Sequence, residues 1–168
     1  VEQNAKRKYL KIRKKVRFED EKGNFTELCP AESLNIKTTI DFPSKIVGHQ
    51  EFSVLHAERT DFFAREIAPA RTFCEKYQVE YLRSIGLIKG GSLENAIVLD
   101  GEQILNPEGF RLNQECVRHK ALDAIGDLYT SGHRIIGEFA GFCSGHFHNN
   151  ELLKKLFSDN KNFEIVEI

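Results

Sequence analysis

Between Tyr9 and Phe18 the chain alternates: Leu10, Ile12, Val16 and Phe18 fall on one side, and Lys11, Arg13, Lys15 and Arg17 on the other. A period of two sends successive side chains to opposite faces, so the stretch is predicted to be one half-buried strand with a charged outer face. The turn "EDEKGN", residues 19 to 24, follows, and "FTELCP" and "SLNIKTTIDF" read as further short strands, which together predict a meander. A helix is expected after Thr60, an N-cap candidate ahead of Asp61, with Phe62, Phe63, Ile67 and Ala70 giving the apolar spacing and Pro69 near its end.

The middle of the chain is less regular. "YQVEYLRSIGL" suggests a short strand and helix, "IKGGS" a flexible turn, and "NAIVLD" a buried strand that Asp100-Gly101 turns tightly into "EQIL". After Asn106-Pro107 a helix is expected to run to about Ser131, stopped by Gly132, with "HRIIGEFAGF" as the next strand. A last helix, near 149 to 158, carries Leu152, Leu153 and Leu156. Strands and helices in mixed order with hairpins predict an α+β fold: a two-layer sandwich of a mostly antiparallel sheet packed on helices, with a small βαβ-like insert.

With 168 residues, 40% hydrophobic and 29% charged, the chain is long enough for one domain with its own core. A net charge of -1, from 24 basic and 25 acidic side chains, leaves no global field toward nucleic acid or an anionic membrane. Cys29, Cys74, Cys116 and Cys143 form no C-x-x-C pair, which argues against a disulfide framework and fits a reducing cytosol. No apolar run is long enough for a membrane span and no secretory signal opens the chain. A chain that begins at Val1 and contains no methionine is expected to be a piece of something longer.

The stretch "VRHKALDAIGD", residues 117 to 127, carries chemistry on a helix. Val117, Ala121, Ala124, Ile125 and Leu128 cluster on one side, while His119, Asp123 and Asp127, spaced by four, form a stripe roughly opposite. A solvated polar face is one reading. The other is a metal site, because an imidazole and a carboxylate one turn apart can both reach a zinc ion at about 2.0 to 2.2 Å. Further along, "CSGHFHNN" places His146 between a strand and a helix, where Asp127 could hold it as an imidazolium and make it a competent acid. In "ARTF", Thr72 could offer its hydroxyl to a developing oxyanion, or merely cap a helix end. The paired glycines of "LIKGGSLENA" permit close backbone approach but match neither the phosphate-loop nor the dinucleotide pattern.

The fragments "TIDF", "ARTF", "EYLRSIGLIKGGSLENAIV", "LNPEGFRLNQECVRHKALDAIGDLY" and "IIGEFAGFCSGHFHNN" occur here in order. In that order and spacing the chain resembles the UDP-3-O-acyl-N-acetylglucosamine deacetylases of lipid A synthesis, from about Val1 to Leu156. The resemblance covers only the second half of such an enzyme, whose two similar α+β domains hold a zinc site between them. It implies that residues 1 to 168 are the second domain, that His119 and Asp123 are zinc ligands, and that His146 is the charged partner or general acid, oriented by Asp127. It further implies that Thr72 stabilises the oxyanion, that Phe42 contacts the uridine end, and that Lys120 is a cation near the polar head. An insert at about 77 to 96 would form a tunnel for the acyl chain, with Phe73, Val79, Leu82, Leu87, Gly91 and Ala96 as lining candidates. The third zinc-ligand histidine and a glutamate base would belong to the first domain, the partner of this piece. The family usually has a lysine before "SGH" where this chain has Cys143, which bears on a phosphate or sugar contact rather than on the zinc.

An alternative is a phosphate or nucleic-acid binding module built on residues 6 to 17, "KRKYLKIRKKVR", with eight basic side chains. Glu19, Asp20 and Glu21 follow at once and the aromatics are not interleaved as stacking platforms, so a strand's outer face explains these charges better. The same face would help a cytosolic enzyme make transient contact with an anionic membrane surface.

Overall fold

The computed structural model describes residues 4–57 and 59–168. The alternating segment forms two strands rather than one, β1 (Lys8–Ile12) and β2 (Val16–Glu19), because the three cationic residues 13 to 15 interrupt the apolar side between Ile12 and Val16. The charged turn closes as expected. The Asp20 carboxylate accepts the backbone N–H of both Lys22 and Asn24, Gly23 takes φ 82°, and β2 pairs antiparallel with β3 (Phe25–Cys29).

The meander stops there. β4 (Leu34–Asp41) pairs antiparallel with β5 (His49–Val54), but its other neighbour is β9 (Arg134–Phe142), in parallel, and β3 flanks the same stretch of β9 antiparallel. β9 also pairs with β1 in parallel at its start, and β1 with β10 (Phe163–Glu167), a strand not expected from the sequence. The sheet is therefore mostly antiparallel, with its parallel pairs at β9. Gly137 on β9 has a packing reason: a Cβ there would sit 2.5 Å from the Ile12 side chain and 3.1 Å from the Cys29 carbonyl.

Two helices form the second layer. α3 (Glu115–Tyr129) packs on β4 and β5, and α4 (His146–Phe157) on β2 and β3, and the two helices touch each other. Between the layers lie Leu10, Ile12, Leu28, Ile36 and Phe139 from the sheet, and Val117, Ala121, Ala124, Leu128, Leu152 and Leu156 from the helices. Three helix boundaries differ from expectation. Residues 107 to 114 are not helical, so α3 starts eight residues after Pro107; α4 starts at His146 rather than 149; and after three residues of α1 (Thr60–Phe62) the segment widens into a π-helix, Phe63–Ile67. The Ala68 N–H reaches back to the Phe63 carbonyl at 2.8 Å, and Thr60 is the first helical residue rather than the cap.

The insert is a βαβ unit. β6 (Thr72–Glu75), α2 (Lys76–Ser84) and β7 (Ala96–Asp100) follow one another with β6 parallel to β7, and β8 (Gln103–Ile104) turns back antiparallel. Asn106, 3% exposed, holds its ends together: it accepts the Val98 N–H and donates to the Leu93 and Ala96 carbonyls.

Candidate active site

The stripe on α3 is not a solvated face. The side chains of His119, Asp123 and Asp127 are 16%, 12% and 20% exposed, half-covered by the segment before β6 and by the start of α4. The stripe begins one turn before His119, at Glu115. That carboxylate is fully buried and accepts the Arg71 backbone N–H at 3.0 Å, the Arg71 guanidinium at 2.9 Å and the Arg111 backbone N–H. Burial pushes Glu115 up, but these donors outweigh it and hold its pKa below the usual carboxylate value. The Arg71 side chain, 3% exposed, also donates to Glu108 and to the Gly109 carbonyl. The only sequence signal for this pair was a charged residue four before His119.

Anchoring Arg71 fixes its neighbours. The Ala70 carbonyl lies 3.1 Å from His119 Nδ1, and Thr72 opens β6, exposed, two residues further on. Nδ1–H donates to that carbonyl, which leaves Nε2 to carry a lone pair in the neutral ring or a proton in the charged one. Nε2 faces Asp123 Oδ1 at 3.2 Å, while Lys120 Nζ takes the other oxygen, Oδ2, at 3.3 Å. Burial pushes the Asp123 carboxyl up; the His119 hydrogen bond and the charges of His119, Lys120 and His146 outweigh it and hold it below the usual range.

A lone pair and a carboxylate oxygen facing each other need a proton or a cation between them. Two donors bound to one tetrahedral zinc at about 2.0 to 2.2 Å would stand about 3.3 to 3.5 Å apart, close to this 3.2 Å separation. The pair fits a zinc edge, and among the described residues no group of three or more His, Cys, Asp or Glu could hold a metal.

α4 supplies the next group. His146 Nδ1 contacts Asp127 Oδ2 at 2.8 Å and Oδ1 at 3.0 Å, and its Nε2 stands 3.9 Å from Asp123 Oδ1. Both imidazoles thus turn Nε2 toward the same carboxylate oxygen. The start of α4 is held by His148, which accepts the Gly145 N–H on Nδ1 and donates from Nε2 to Asp20 at 3.1 Å.

Beside the stripe lies a cavity of about 380 Å³ lined by Phe42, Phe73, Lys120, Asn24, Cys143 and Ser144, among others. Phe42 meets Phe73 edge-on at 5.4 Å, and Lys120 Nζ lies 5.8 Å from the Phe73 ring centre. Cys143 takes φ 44° where β9 hands over to α4, its N–H donating to the Thr39 carbonyl at 2.9 Å and its Sγ accepting the Asp41 N–H. All four cysteines are free. A second cavity, about 540 Å³, opens inside the insert and is lined by Phe73, Val79, Leu82, Gly91 and Ala96 with Thr72 at one end of β6. Leu87 does not line it and is 54% exposed. Phe73 lines both cavities.

Five of the eight basic side chains of residues 6 to 17 are paired where they stand. Lys8, Lys11, Arg13, Lys15 and Arg17 each form an ion pair with a glutamate, so the outer face offers alternating signs rather than a phosphate track. Among the described residues no helix is long and apolar enough to cross a membrane.

Residues 1–158 match the family described as LpxC, UDP-3-O-acyl N-acetylglycosamine deacetylase. Curated relatives named UDP-3-O-acyl-N-acetylglucosamine deacetylase include those of Vibrio vulnificus (strain YJ016), 45% identical over 162 residues, and Pasteurella multocida (strain Pm70), 44% identical over 165. A third, from Shewanella sp. (strain W3-18-1), is 43% identical over 165 residues, which are 98% of this chain and 54% of the relative. The chain spans about half the length of the curated relatives it matches.

Proposed function

Since this chain belongs to the family of UDP-3-O-acyl N-acetylglycosamine deacetylases, we propose that it is the second domain of such an enzyme. Its reaction is hydrolysis of the acetamide of UDP-3-O-acyl-N-acetylglucosamine, releasing acetate, in cytoplasmic lipid A biosynthesis. The observation that carries the reading is the 3.2 Å approach of His119 Nε2 to Asp123 Oδ1, with His146 Nε2 3.9 Å behind it.

His119 and Asp123 would hold zinc, with a third ligand and a glutamate base from a first domain. When bound, zinc supplies Lewis-acid polarisation of an amide carbonyl and acidification of water. The chain's own groups do the rest. His146, whose Nδ1–H donates to Asp127, turns Nε2 toward the tetrahedral species and from there passes a proton to the leaving amine. Thr72 offers its hydroxyl to the developing oxyanion from the mouth of the insert cavity. Lys120, over Phe73, neutralises charge on the polar head, and Phe42 gives the uridine end an aromatic edge. The insert cavity takes the acyl chain, each buried methylene contributing about 0.8 kcal/mol before ordering costs.

The test is acetate release from UDP-3-O-acyl-N-acetylglucosamine by the deacetylase carrying this chain, with and without chelator. Loss of turnover on chelation, restored by zinc and abolished in His119→Ala, is the expected result. Turnover indifferent to chelator and to His119→Ala would overturn the reading.

A further inference from the structure

Among the described residues, one buried side-chain polar atom lacks a hydrogen-bond partner: Oδ1 of Asn149, a residue 2% exposed. The other end of that amide is engaged, Nδ2 donating to Asp127 Oδ2 at 2.7 Å. Turning the amide over would set Oδ1 against a carboxylate oxygen, two acceptors in contact, so the orientation is dictated by Asp127. The orphaned oxygen is the consequence of keeping a donor on that carboxylate. A buried polar group without a partner is rarely retained in native interiors, and leucine, of nearly the same shape, would remove the defect.

The geometry around the amide says what it is kept for. His146 and Asn149 stand three residues apart on α4, on one face of the helix, and both donate to the same oxygen of Asp127 on α3, at 2.8 and 2.7 Å. His146 is 68% exposed on its side chain, so from the solvent side the carboxylate is held only by a ring that can itself move. Asn149 holds it from the interior. We infer that Asn149 is a positioning residue, locking the Asp127 carboxylate so that His146 keeps its Nδ1–H bond and aims Nε2 at Asp123. The inference rests on the role given to His146 above.

Two measurements test it, with Asn149→Leu as the main variant because it deletes both the donor and the orphan. The first needs no activity: in this chain the Nδ1–H proton of His146, followed by nitrogen-15-edited NMR at fixed pH, is expected to give a resolved resonance in the wild type, because it is bonded to Asp127 at 2.8 Å, and none in Asp127→Ala. It is expected to broaden severely through solvent exchange in Asn149→Leu, and a sharp, unchanged resonance there would overturn the inference. The second is kinetic. In the deacetylase carrying this chain, Asn149→Leu lowers kcat about tenfold with KM unchanged and the melting temperature maintained, and has no further effect in a His146→Ala background. An equal loss in both backgrounds, or a loss that merely follows melting temperature, would mean a structural residue only. If Asn149→Leu does not fold, Asn149→Ala gives the same two comparisons. A wild-type enzyme that releases no acetate would sink the proposed function, while the NMR arm would still decide the role of Asn149.

Discussion

The Ala70 carbonyl accepts a hydrogen bond from His119 Nδ1 at 3.1 Å, and that bond selects the nitrogen that faces Asp123. The tautomer is set by a backbone group outside the helix, so the ring needs no reorientation to use Nε2. A chelator competition on this chain should therefore detect one weakly bound zinc, lost in both His119→Ala and Asp123→Ala. Binding that survives both substitutions would show that the stripe is not the ligand pair.

Glu115 should matter more for folding than for chemistry. Glu115→Ala strands the Arg71 guanidinium, 3% exposed, without its main acceptor. The expected loss is about 3 to 5 kcal/mol, or on the order of 10 °C in melting temperature. Arg71→Ala should cost a similar amount and the double variant less than the sum, because the two share one interaction. Thermal melts of the three variants check this.

Part of this arrangement was legible in the residues. The spacing of Val117, Ala121, Ala124, Ile125 and Leu128 correctly chose the buried side of α3, and "SLNIKTTIDF" and "HRIIGEFAGF" were legible as strands. What periodicity could not show was partnership: that β9 sits between β3 and β4, or that β10 closes onto β1, since strand order depends on contacts far apart in sequence. Glu115 and Asn149 were missed for the same reason. A glutamate at a helix start and one asparagine of "HNN" look like polar surface until Arg71 and Asp127 are seen against them.

The Asp20 carboxyl should tune acid stability. Its pKa is lowered to about 2: burial raises it, and hydrogen bonds from Asn24, His148 and the Asn24 and Lys22 backbones lower it further. A carboxyl with a depressed folded pKa contributes stability that is complete above its unfolded value, near 3.8, and lost as pH falls through about 2. Melts between those limits should show a steeper decline for the wild type than for Asp20→Asn. Parallel curves would mean that the turn and the start of α4 do not depend on that charge.

Asp127→Asn tests the orienting carboxylate directly. The amide keeps the shape but removes the charge that holds the His146 proton, bonded at 2.8 Å. Turnover by the complete enzyme should fall about 10- to 100-fold with little change in KM. A loss below twofold would remove Asp127 from the mechanism.

The insert cavity separates two leucines that the sequence treats alike. Leu82 lines the 540 Å³ cavity, whereas Leu87 lies outside it and is 54% exposed. If that cavity holds the acyl chain, Leu82→Ala deletes contacts made by the chain's methylenes, each worth about 0.8 kcal/mol when fully buried. The dependence of kcat/KM on acyl length should flatten in Leu82→Ala and stay as in the wild type in Leu87→Ala. The reverse pattern would place the acyl chain along the outer surface of the insert, because only there could Leu87 touch it and Leu82 not.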